Sequence, residues 1–327
     1  MKVLITGAFG NIGTSAIDKL LKQGHKVRGF DLKTGVNEKT AQRFKGHIEV
    51  VWGDVSNPDD VTAIVKDQDV VIHLAFIMPP ATEDRPEWSR DINIGGTKNI
   101  LNAMKTVAPA SKIIFSSSLS VFGDTQNQQP PRTVSDPVQP ADNYTKQKVE
   151  CEGLLQESGL DWCVFRFAVV PPMKLSGVEE LPKMFDFPLD MRIEFLHPRD
   201  AGLALTNAVG SEEVWGKILL IGGGSSGQLY YRDFIGRMME AMGIGMLPEK
   251  AFGSKAAYND WLDTSESQKL LNYQQHTFDE FVQEIALSLG FKRYLIPLFR
   301  PLALRWVLGK SPYYRTKRER WERGAPI

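Results

Sequence analysis

The chain has 327 residues, of which 42% are hydrophobic and 24% charged, enough for one large domain with a satellite lobe or for two domains. Its 39 basic and 39 acidic residues give a formal net charge of zero, which excludes a long-range attraction of the whole molecule to nucleic acid or to an anionic membrane. Cys151 and Cys163 are too few for a disulfide scaffold and lack metal-ligand spacing, so we expect a reducing, cytoplasmic setting and no metal site.

Short apolar runs of strand type alternate with segments of helical period through the first two thirds of the chain. The predicted strands cover 3–5, 26–30, 48–52, 70–74, 112–116, 162–167 and 217–221. Such alternation indicates a parallel sheet with crossover helices. Residues 171–191 are predicted to form a lid-like loop with a short helix over the active site, and helices are predicted at 232–242 and 277–289. The predicted fold is therefore α/β, a Rossmann-type doubly wound parallel sheet with a smaller, mostly helical C-terminal substrate lobe.

The first predicted strand runs directly into Thr6-Gly7-Ala8-Phe9-Gly10-Asn11-Ile12-Gly13, and a segment of helical period follows at 14–21. A three-glycine pattern set between a strand and a helix indicates a dinucleotide-binding loop. One glycine permits the tight turn, one leaves room for the pyrophosphate at the helix N-terminus, and one lets helix and strand pack closely. The alternative is a plain glycine turn. The residues of this loop that we expect to contact the cofactor are Gly7, Phe9, Gly10, Asn11, Ile12 and Gly13.

Asp31 ends the second predicted strand, 18 residues beyond Gly13, where a carboxylate can accept hydrogen bonds from both hydroxyls of an adenosine ribose. A 2′-phosphate would meet this negative charge, so the placement favours NAD. Arg28 and Lys33 lie close in sequence and keep NADP as the alternative. His73, near the end of the fourth strand, is interpreted as an orienting or core residue rather than a catalyst. Further cofactor contacts are expected at the carboxyl ends of the third and fourth strands, where open α/β sheets bind ligands: Asp54, Val55, Leu74 and Ala75.

Tyr144 and Lys148 open a segment of helical period, and their spacing of four residues places them on one face of the helix. A phenol with its ordinary pKa of about 10 is a poor acid/base group near neutrality, and an adjacent ammonium lowers that pKa by favouring phenolate. Such a pair is also common on helix surfaces, which is the alternative interpretation. The glycine loop upstream and the Ser116-Ser117-Ser118 run at a strand end favour a catalytic role.

Several ordered motifs together resemble the extended short-chain dehydrogenase/reductase superfamily, and within it the NAD-dependent epimerase/dehydratase family. The resemblance covers about residues 1 to 290 and indicates fold and cofactor rather than substrate. Its motifs are the glycine start, Asp54, His73-Leu74-Ala75, Asn93-x-Gly95-Gly96-Thr97-x-Asn99, Ser116-Ser117-Ser118, Val121-Phe122-Gly123, Tyr144-x-x-x-Lys148, Arg166-Phe167, Phe195-Leu196-His197-x-x-Asp200 and Trp261-Leu262-Asp263-Thr264-Ser265.

The resemblance implies that Tyr144 is the acid/base, that Lys148 positions the nicotinamide ribose and lowers the Tyr144 pKa, and that Ser118 hydrogen-bonds the substrate oxygen. Ser120 is an alternative for the Ser118 role. Hydride would pass between the substrate carbon and nicotinamide C4 while Tyr144 takes or gives the hydroxyl proton. The resemblance also implies a homodimer through the helix that bears Tyr144. Its further cofactor-side positions are Ser116 and Asn93, the latter as a support of the active-site structure.

The chain departs from members of this family that act on nucleotide sugars. Val169 stands where those members carry an asparagine, and Ile193 where they carry a phosphate-binding arginine, for which Arg192 is the nearest substitute. The 171–191 segment is rich in apolar residues, which favours a small or lipophilic alcohol or ketone over a sugar nucleotide. The alternative is that this segment packs as core and says little about the substrate. The expected substrate contacts are Ser118, Ser120, Val170, Met173 and Phe185.

Residues 291–327 lie beyond the region of resemblance and hold ten Lys or Arg against two Glu, with seven interleaved aromatic residues. This composition predicts an arm docked on an acidic surface of the protein or of a partner subunit, with peripheral membrane contact as an alternative and nucleic acid as a remote one. The predicted division of the chain is a NAD-binding domain at 1–168 and 193–225, a substrate lobe at 169–192 and 226–290, and the extension at 291–327.

The sequence thus predicts a cytoplasmic NAD-dependent oxidoreductase that acts on a hydroxyl or keto group of a small or hydrophobic substrate. Two alternatives remain at this point. One is a nucleotide-sugar epimerase or dehydratase that transfers hydride transiently, and the other is a dinucleotide-binding regulator without catalytic activity.

Overall fold

The computed structural model describes residues 1–173 and 178–314, which form a large α/β body and a smaller C-terminal lobe. All seven predicted strands are present, with ends within two residues of the prediction, because their apolar runs are long enough to be recognised locally. Two further strands were not predicted. The strands in the described part of the chain are β1 (Lys2–Thr6), β2 (Lys26–Asp31), β3 (Glu49–Trp52), β4 (Val70–His73), β5 (Lys112–Ser118), β6 (Trp162–Phe167), β7 (Arg192–Glu194), β8 (Lys217–Ile221) and β9 (Gln228–Tyr230).

Seven of these strands form one parallel sheet in the order β3-β2-β1-β4-β5-β6-β8, which confirms the Rossmann-type prediction. Val3 of β1 lies opposite Val27 of β2 on one side and Val70 of β4 on the other. The strand order reverses at this point, since β2 and β3 follow β1 in one direction and β4 to β6 continue in the other. Open α/β sheets bind ligands outside such a reversal, at the carboxyl ends of the strands.

The helices cover both faces of the sheet and build the lobe. They are α1 (Asn11–Lys22), α2 (Gly35–Ala41), α3 (Pro58–Val65), α4 (Ala81–Asp84), α5 (Pro86–Arg90), α6 (Gly96–Val107), α7 (Asn143–Gln156), α8 (Pro198–Val209), α9 (Tyr231–Ala241), α10 (Ser265–Leu271), α11 (Phe278–Ser288), α12 (Lys292–Leu298) and α13 (Arg300–Leu308). Short 3₁₀ segments and a π-helical turn at Asp91–Gly95 connect them. Within residues 1–173 and 178–314, each helix is too short or too polar to cross a bilayer.

Apolar side chains on both faces of the sheet explain why its central strands are completely buried. Ile17 of α1 and Leu205 of α8 belong to the core on one face. Ile64 of α3 and Met104 of α6 belong to the core on the other face. Helices α1 and α8 approach so closely that a Cβ atom on Gly202 would lie 2.5 Å from a backbone atom of α1. These two cores hold the carboxyl ends of the strands in fixed positions.

The C-terminal lobe is built around the small antiparallel pair of β7 and β9. Its core contains side chains from α9, from the segment before β7 and from α13. Residue 193 is paired within this lobe, although the predicted boundary assigned it to the NAD-binding domain. The other predicted boundaries stay predictions, and residues 174–177 and 315–327 of the predicted lobe and extension lie outside the described part of the chain.

Candidate active site

The glycine loop turns between β1 and α1 at the point where the strand order reverses. Gly7 has φ +68°, and a Cβ atom there would lie 2.8 Å from the backbone nitrogen of Ala75. A Cβ atom on Gly13 would lie 2.5 Å from the carbonyl oxygen of Gly7. Gly10 differs, because its nearest neighbour would be that same oxygen at 3.4 Å. The first and third glycines are therefore required by packing, while the second leaves open space beside the N-terminus of α1.

Two clefts meet at this loop and together form one elongated groove. One has a volume of about 270 Å³ and the other about 540 Å³, and both are lined by Gly7 and Gly10. The smaller cleft collects the predicted cofactor residues Asp31, Asp54, Val55, Leu74 and Ala75. The larger cleft collects Asn11, Ile12, Gly13, Ser116, Ser118, Ser120, Tyr144, Lys148 and Val170. The structure thus brings most of the predicted site residues to one edge of the sheet.

Asp31 is held in the smaller cleft by three hydrogen bonds. Its carboxylate accepts from the backbone N–H of Phe9 at 2.9 Å, from that of Leu32 at 2.9 Å and from the side-chain amide of Asn37 at 3.0 Å. Burial raises the pKa of Asp31, and the hydrogen bonds from the two backbone N–H groups oppose this shift. The predicted cofactor contact of Phe9 stays a prediction, since its ring is buried against Trp52 and its backbone N–H donates to Asp31. Sequence patterns did not indicate Asn37.

Arg28 and Lys33, the two cations that left NADP as the alternative cofactor, are engaged by other groups. The Arg28 guanidinium donates to Glu49 at 2.8 Å and to the backbone carbonyl of Ile64 at 2.7 Å. Lys33 forms an exposed ion pair with Glu38 at 3.7 Å. Both positive charges therefore face the carboxylates of Glu49 and Glu38 and not the surroundings of Asp31.

Tyr144 enters the larger cleft from the first turn of α7. Asp142 caps this helix, since its carboxylate accepts from the backbone N–H of Thr145 at 2.8 Å. The Tyr144 side chain is 8% exposed, and burial raises its pKa to about 12, while the neighbouring Ser118 hydroxyl opposes the shift. Ser118 itself donates to the Ser120 hydroxyl at 3.2 Å. Three hydroxyl groups therefore cluster at this end of the groove.

Lys148 lies one turn further along α7 and is almost completely buried. Its Nζ atom donates to the backbone carbonyl of Ser116 at 2.5 Å and lies 3.5 Å from the centre of the Phe76 ring. Burial lowers the Lys148 pKa to about 7. The effect of Lys148 on the Tyr144 pKa stays a prediction, while burial of the phenol shifts that pKa upward on balance.

Asn93 holds the backbone of Ile77, which lines the smaller cleft. It is fully buried, and its amide nitrogen donates to the backbone carbonyl of Ile77 at 3.1 Å and to the Gln147 side chain at 2.6 Å. Its oxygen accepts from the backbone N–H of Ile77 at 2.6 Å. Because protein groups engage both ends of this amide, Asn93 fits the predicted supporting role better than the predicted cofactor contact. His73 is likewise a core residue, since its ring bonds to Thr6 and Thr97.

Two of the predicted substrate contacts lie elsewhere. Phe185 is completely buried in the lobe core, with its ring 5.3 Å from that of Phe252. Met173 packs toward a second cluster that contains Phe195 and Phe278. The 171–191 segment was predicted as an apolar lid, but its described apolar residues from Met184 to Met191 pack as core. Sequence could not separate these outcomes, since a lid and a core require the same apolar residues.

Arg192 is not a substitute for the missing phosphate-binding arginine. Its guanidinium pairs with the buried carboxylate of Asp260 at 2.6 Å and donates to the backbone carbonyl of Thr125 at 2.9 Å. Arg132 pairs with the same carboxylate at 3.3 Å. The two guanidinium groups therefore neutralise an internal carboxylate 68 residues beyond Arg192 in the chain, a partner that no local motif indicates.

The larger cleft has further lining residues that sequence analysis missed. Phe76, Met78 and Pro79 follow β4 on one side, and Tyr258 and Asn259 approach from the lobe. The last two precede the predicted closing motif at 261–265, which is the only signal near them. Together with Val169 and Phe167, these residues give this end of the groove a mainly apolar wall with a few polar groups.

Known proteins resemble this chain in sequence and in fold. A 3-beta-hydroxysteroid dehydrogenase of Mycolicibacterium neoaurum is 28% identical over 176 residues, which are 50% of this chain and 46% of that protein. A UDP-glucose 4-epimerase of Lactobacillus helveticus is 29% identical over 185 residues, which are 54% of each protein. The chain thus spans about half the length of the curated relatives it matches.

The fold extends further than the sequence similarity. The UDP-glucuronic acid 4-epimerase of Bacillus cereus, in complex with UDP-glucuronic acid and NAD, superimposes with a TM-score of 0.75 at 22% identity. This likeness covers 90% of the present chain and 100% of that one. A sequence profile matches residues 3–185, more than half of the chain, and includes the glycine loop and both residues of the Tyr144 and Lys148 pair. The chain therefore belongs to the NAD dependent epimerase/dehydratase family.

Proposed function

We propose that the protein binds NAD along the groove and is an oxidoreductase that acts on a hydroxyl or keto group beside Tyr144. The observation that carries this proposal is the meeting of the two clefts at Gly7 and Gly10, with the Asp31 carboxylate at one end and the Tyr144 phenol at the other. A dinucleotide has the same order of parts, with a diphosphate between an adenosine and a nicotinamide riboside. Family membership supports the same cofactor.

The residues of this groove fit NAD on three grounds. Gly10 leaves room for a diphosphate next to the N-terminus of α1, where backbone N–H groups and the helix dipole favour negative charge. Asp31 is fixed at the carboxyl end of β2 with its oxygens toward the smaller cleft. Arg28 and Lys33 are paired with carboxylates, so a 2′-phosphate would meet Asp31 without a dedicated cation. We therefore propose NAD rather than NADP.

In the proposed reaction NAD supplies the group that accepts or returns a hydride. Tyr144 holds the proton that leaves or joins the substrate oxygen, and its raised pKa keeps the phenol protonated near neutrality, the form that donates to a carbonyl. Ser118 places a second hydroxyl next to the phenol and orients the same oxygen. Lys148 donates to the Ser116 carbonyl and lines the larger cleft, where it would also hold the nicotinamide ribose. The apolar rings around Lys148 exclude water from this region.

For the substrate we propose a small or hydrophobic alcohol or ketone. The wall formed by Phe76, Met78, Val169 and Tyr258 offers apolar contact. Arg192 and Arg132 are both occupied by Asp260, so neither supplies the charge that a nucleotide diphosphate requires. The curated relatives include both a hydroxysteroid dehydrogenase and nucleotide-sugar epimerases at similar identity, so their names do not separate the two substrate classes.

Turnover by a Tyr144→Phe variant tests the proposal. We expect this variant to lose at least about a hundredfold in kcat, because the proton at the substrate oxygen then lacks its carrier, while NAD affinity stays within about twofold. Steady accumulation of NADH with an alcohol substrate supports a dehydrogenase, whereas an isomerised sugar nucleotide without net NADH supports the epimerase alternative. Unchanged turnover in the variant would remove Tyr144 from the mechanism. Failure of the folded wild type to bind either dinucleotide would leave only a role without catalysis.

A further inference from the structure

The two helices after residue 290 display an unusual number of apolar side chains to solvent. Eighteen large apolar side chains are exposed among residues 1–173, 182–291 and 293–314, and eight of them lie between residues 291 and 313. Leu298 is 74% exposed and Phe291 is 73% exposed. Isolated exposed apolar residues are ordinary, but a contiguous group of this kind marks an interaction surface. We call this group the α12–α13 face, and its main members are Phe291, Tyr294, Leu298, Phe299, Leu302 and Trp306.

The spacing of these residues shows that the exposure is organised. Phe291, Tyr294 and Leu298 follow one another at intervals of three and four residues along α12, and Leu302 and Trp306 are four apart on α13. Such intervals place side chains on one face of a helix. Each helix therefore carries an apolar stripe that faces outward, the reverse of the usual arrangement in a globular protein.

The opposite side of the same segment is firmly attached to the C-terminal lobe. Val307 and Leu308 are buried in the lobe core, and the Ser311 hydroxyl donates to the backbone carbonyl of Ala251 at 2.5 Å. The Arg300 guanidinium donates to the carbonyl of Ile244 at 3.1 Å. These contacts agree with the predicted docking of the extension on the body of the protein. They also show that the apolar stripe stays outward while the segment is docked.

The charged residues within the α12–α13 segment are all basic, although one of them, Arg300, pairs with Glu240 of α9 at 3.4 Å. The sequence from 291 to 318 holds no Asp or Glu, and the residues flanking the stripe include Arg293, Arg300, Arg305 and Lys310. Lys310 lies over the Trp306 ring at 5.5 Å. A second copy of this face would bring like charges together, so self-association is disfavoured. A bilayer with acidic headgroups has an apolar interior and an anionic surface. It therefore complements both the apolar stripe and the basic residues of the α12–α13 face.

We propose that the α12–α13 face is a peripheral membrane contact that lies in the interface of an anionic bilayer. Helices of seven and nine residues are much too short to span, but they can lie in the plane of the surface with Phe and Leu side chains among the acyl chains. Tyr294 and Trp306 suit the boundary because each joins an apolar ring to a polar group. Arg305 is exposed and can extend toward the headgroups along its apolar stem, whereas Arg300 stays engaged by Ile244 and Glu240.

Vesicle flotation of the full chain tests this proposal. The vesicles consist of phosphatidylcholine, alone or with about 30% phosphatidylglycerol, at about 0.1 M and about 0.5 M salt. The test variant is Leu298→Ser/Phe299→Ser/Leu302→Ser, and the control is Val36→Ser/Val107→Ser, which alters two exposed apolar residues of the NAD-binding domain. We expect the partition coefficient on anionic vesicles to fall by at least about tenfold in the test variant and to stay within about twofold of wild type in the control.

Each result decides the proposal. Binding that needs both phosphatidylglycerol and the three apolar residues, and that weakens at the higher salt, supports it. Absence of flotation by wild type, or equal flotation of wild type and the test variant, overturns it. Sedimentation velocity tests the alternative that a second copy of the chain covers the face. If wild type is a dimer that does not bind vesicles, and the test variant is a monomer, the face is assigned to self-association instead. Circular dichroism melting of each variant shows that the comparison is made between folded proteins.

Discussion

The second and third glycines of the loop can be distinguished by replacing each with alanine. A Cβ atom on Gly13 would meet backbone atoms of Gly7 and Ala8 at 2.5 to 2.8 Å, and backbone cannot move aside as a side chain does. A Cβ atom on Gly10 would meet only the Gly7 carbonyl, at 3.4 Å, and would otherwise project into the groove. We therefore expect Gly13→Ala to damage folding and Gly10→Ala to damage cofactor binding.

The magnitudes follow from opposing contributions. Overpacking at Gly13 costs about 3 kcal/mol, the upper part of the usual range, and helix propensity returns about 1 kcal/mol, so the free energy of unfolding falls by about 2 kcal/mol. Gly10 has φ −75° and ψ 179°, which alanine adopts without strain. Alanine at this position lowers the conformational entropy of the unfolded chain, which stabilises the protein by about 0.4–1 kcal/mol, but it is a poorer helix N-cap, which costs a similar amount. The free energy of unfolding therefore stays nearly unchanged.

The effect of Gly10→Ala on cofactor binding is large because a methyl group holds the diphosphate away from the N-terminus of α1. Loss of one charge-assisted hydrogen bond costs about 1.5–3 kcal/mol, which corresponds to roughly 10–100-fold weaker NAD binding. Urea unfolding measures stability, and titration calorimetry with NAD measures affinity. An affinity within about twofold of wild type in Gly10→Ala would refute the placement of the diphosphate. A Gly13→Ala variant as stable as wild type would refute the close-packing argument.

Two other substitutions examine the ends of the groove. The folded-state pKa of Lys148, about 7, lies below its ordinary value, so wild-type stability rises as the pH increases from about 7 toward 10.5. The free energy of unfolding, measured with urea, should rise by up to about 3 kcal/mol between about pH 7 and about pH 9 in wild type but not in a Lys148→Met variant. Parallel pH profiles of the two proteins would contradict the lowered pKa of Lys148. Asp31→Ala should weaken NAD roughly 10–100-fold and NADP much less, as measured by calorimetry, whereas an equal loss for both would show that this carboxylate does not discriminate between them.

The sequence contained enough information for the sheet and for the cofactor half of the groove. The apolar run at 70–74 and the glycine loop are local signals, and each is produced by residues that are neighbours in the chain. Strand ends then converge because parallel strands share one edge, which places Asp31 and Leu74 in the same cleft without any long-range information.

The features that were missed depend on contacts between distant parts of the chain. Arg192 is neutralised by Asp260, and Tyr258 reaches the larger cleft from the C-terminal lobe. The upward shift of the Tyr144 pKa was missed for a related reason, since an ammonium four residues away can be inferred from spacing, whereas the degree of burial that raises the pKa cannot. Phe185 shows the same difficulty, because its apolar character suits a lid and a core equally well.

The side-chain amide of Asn11 ties together two walls of the larger cleft that lie more than 150 residues apart in the chain. Standing in the first turn of α1, it donates to the backbone carbonyls of Val170 and Pro171, both at 3.2 Å. The backbone N–H groups of this helix terminus remain available to an anion while the side-chain amide of Asn11 holds residues 170–171. A diphosphate at the helix terminus and a substrate beside Val170 would therefore share one fixed wall of the larger cleft.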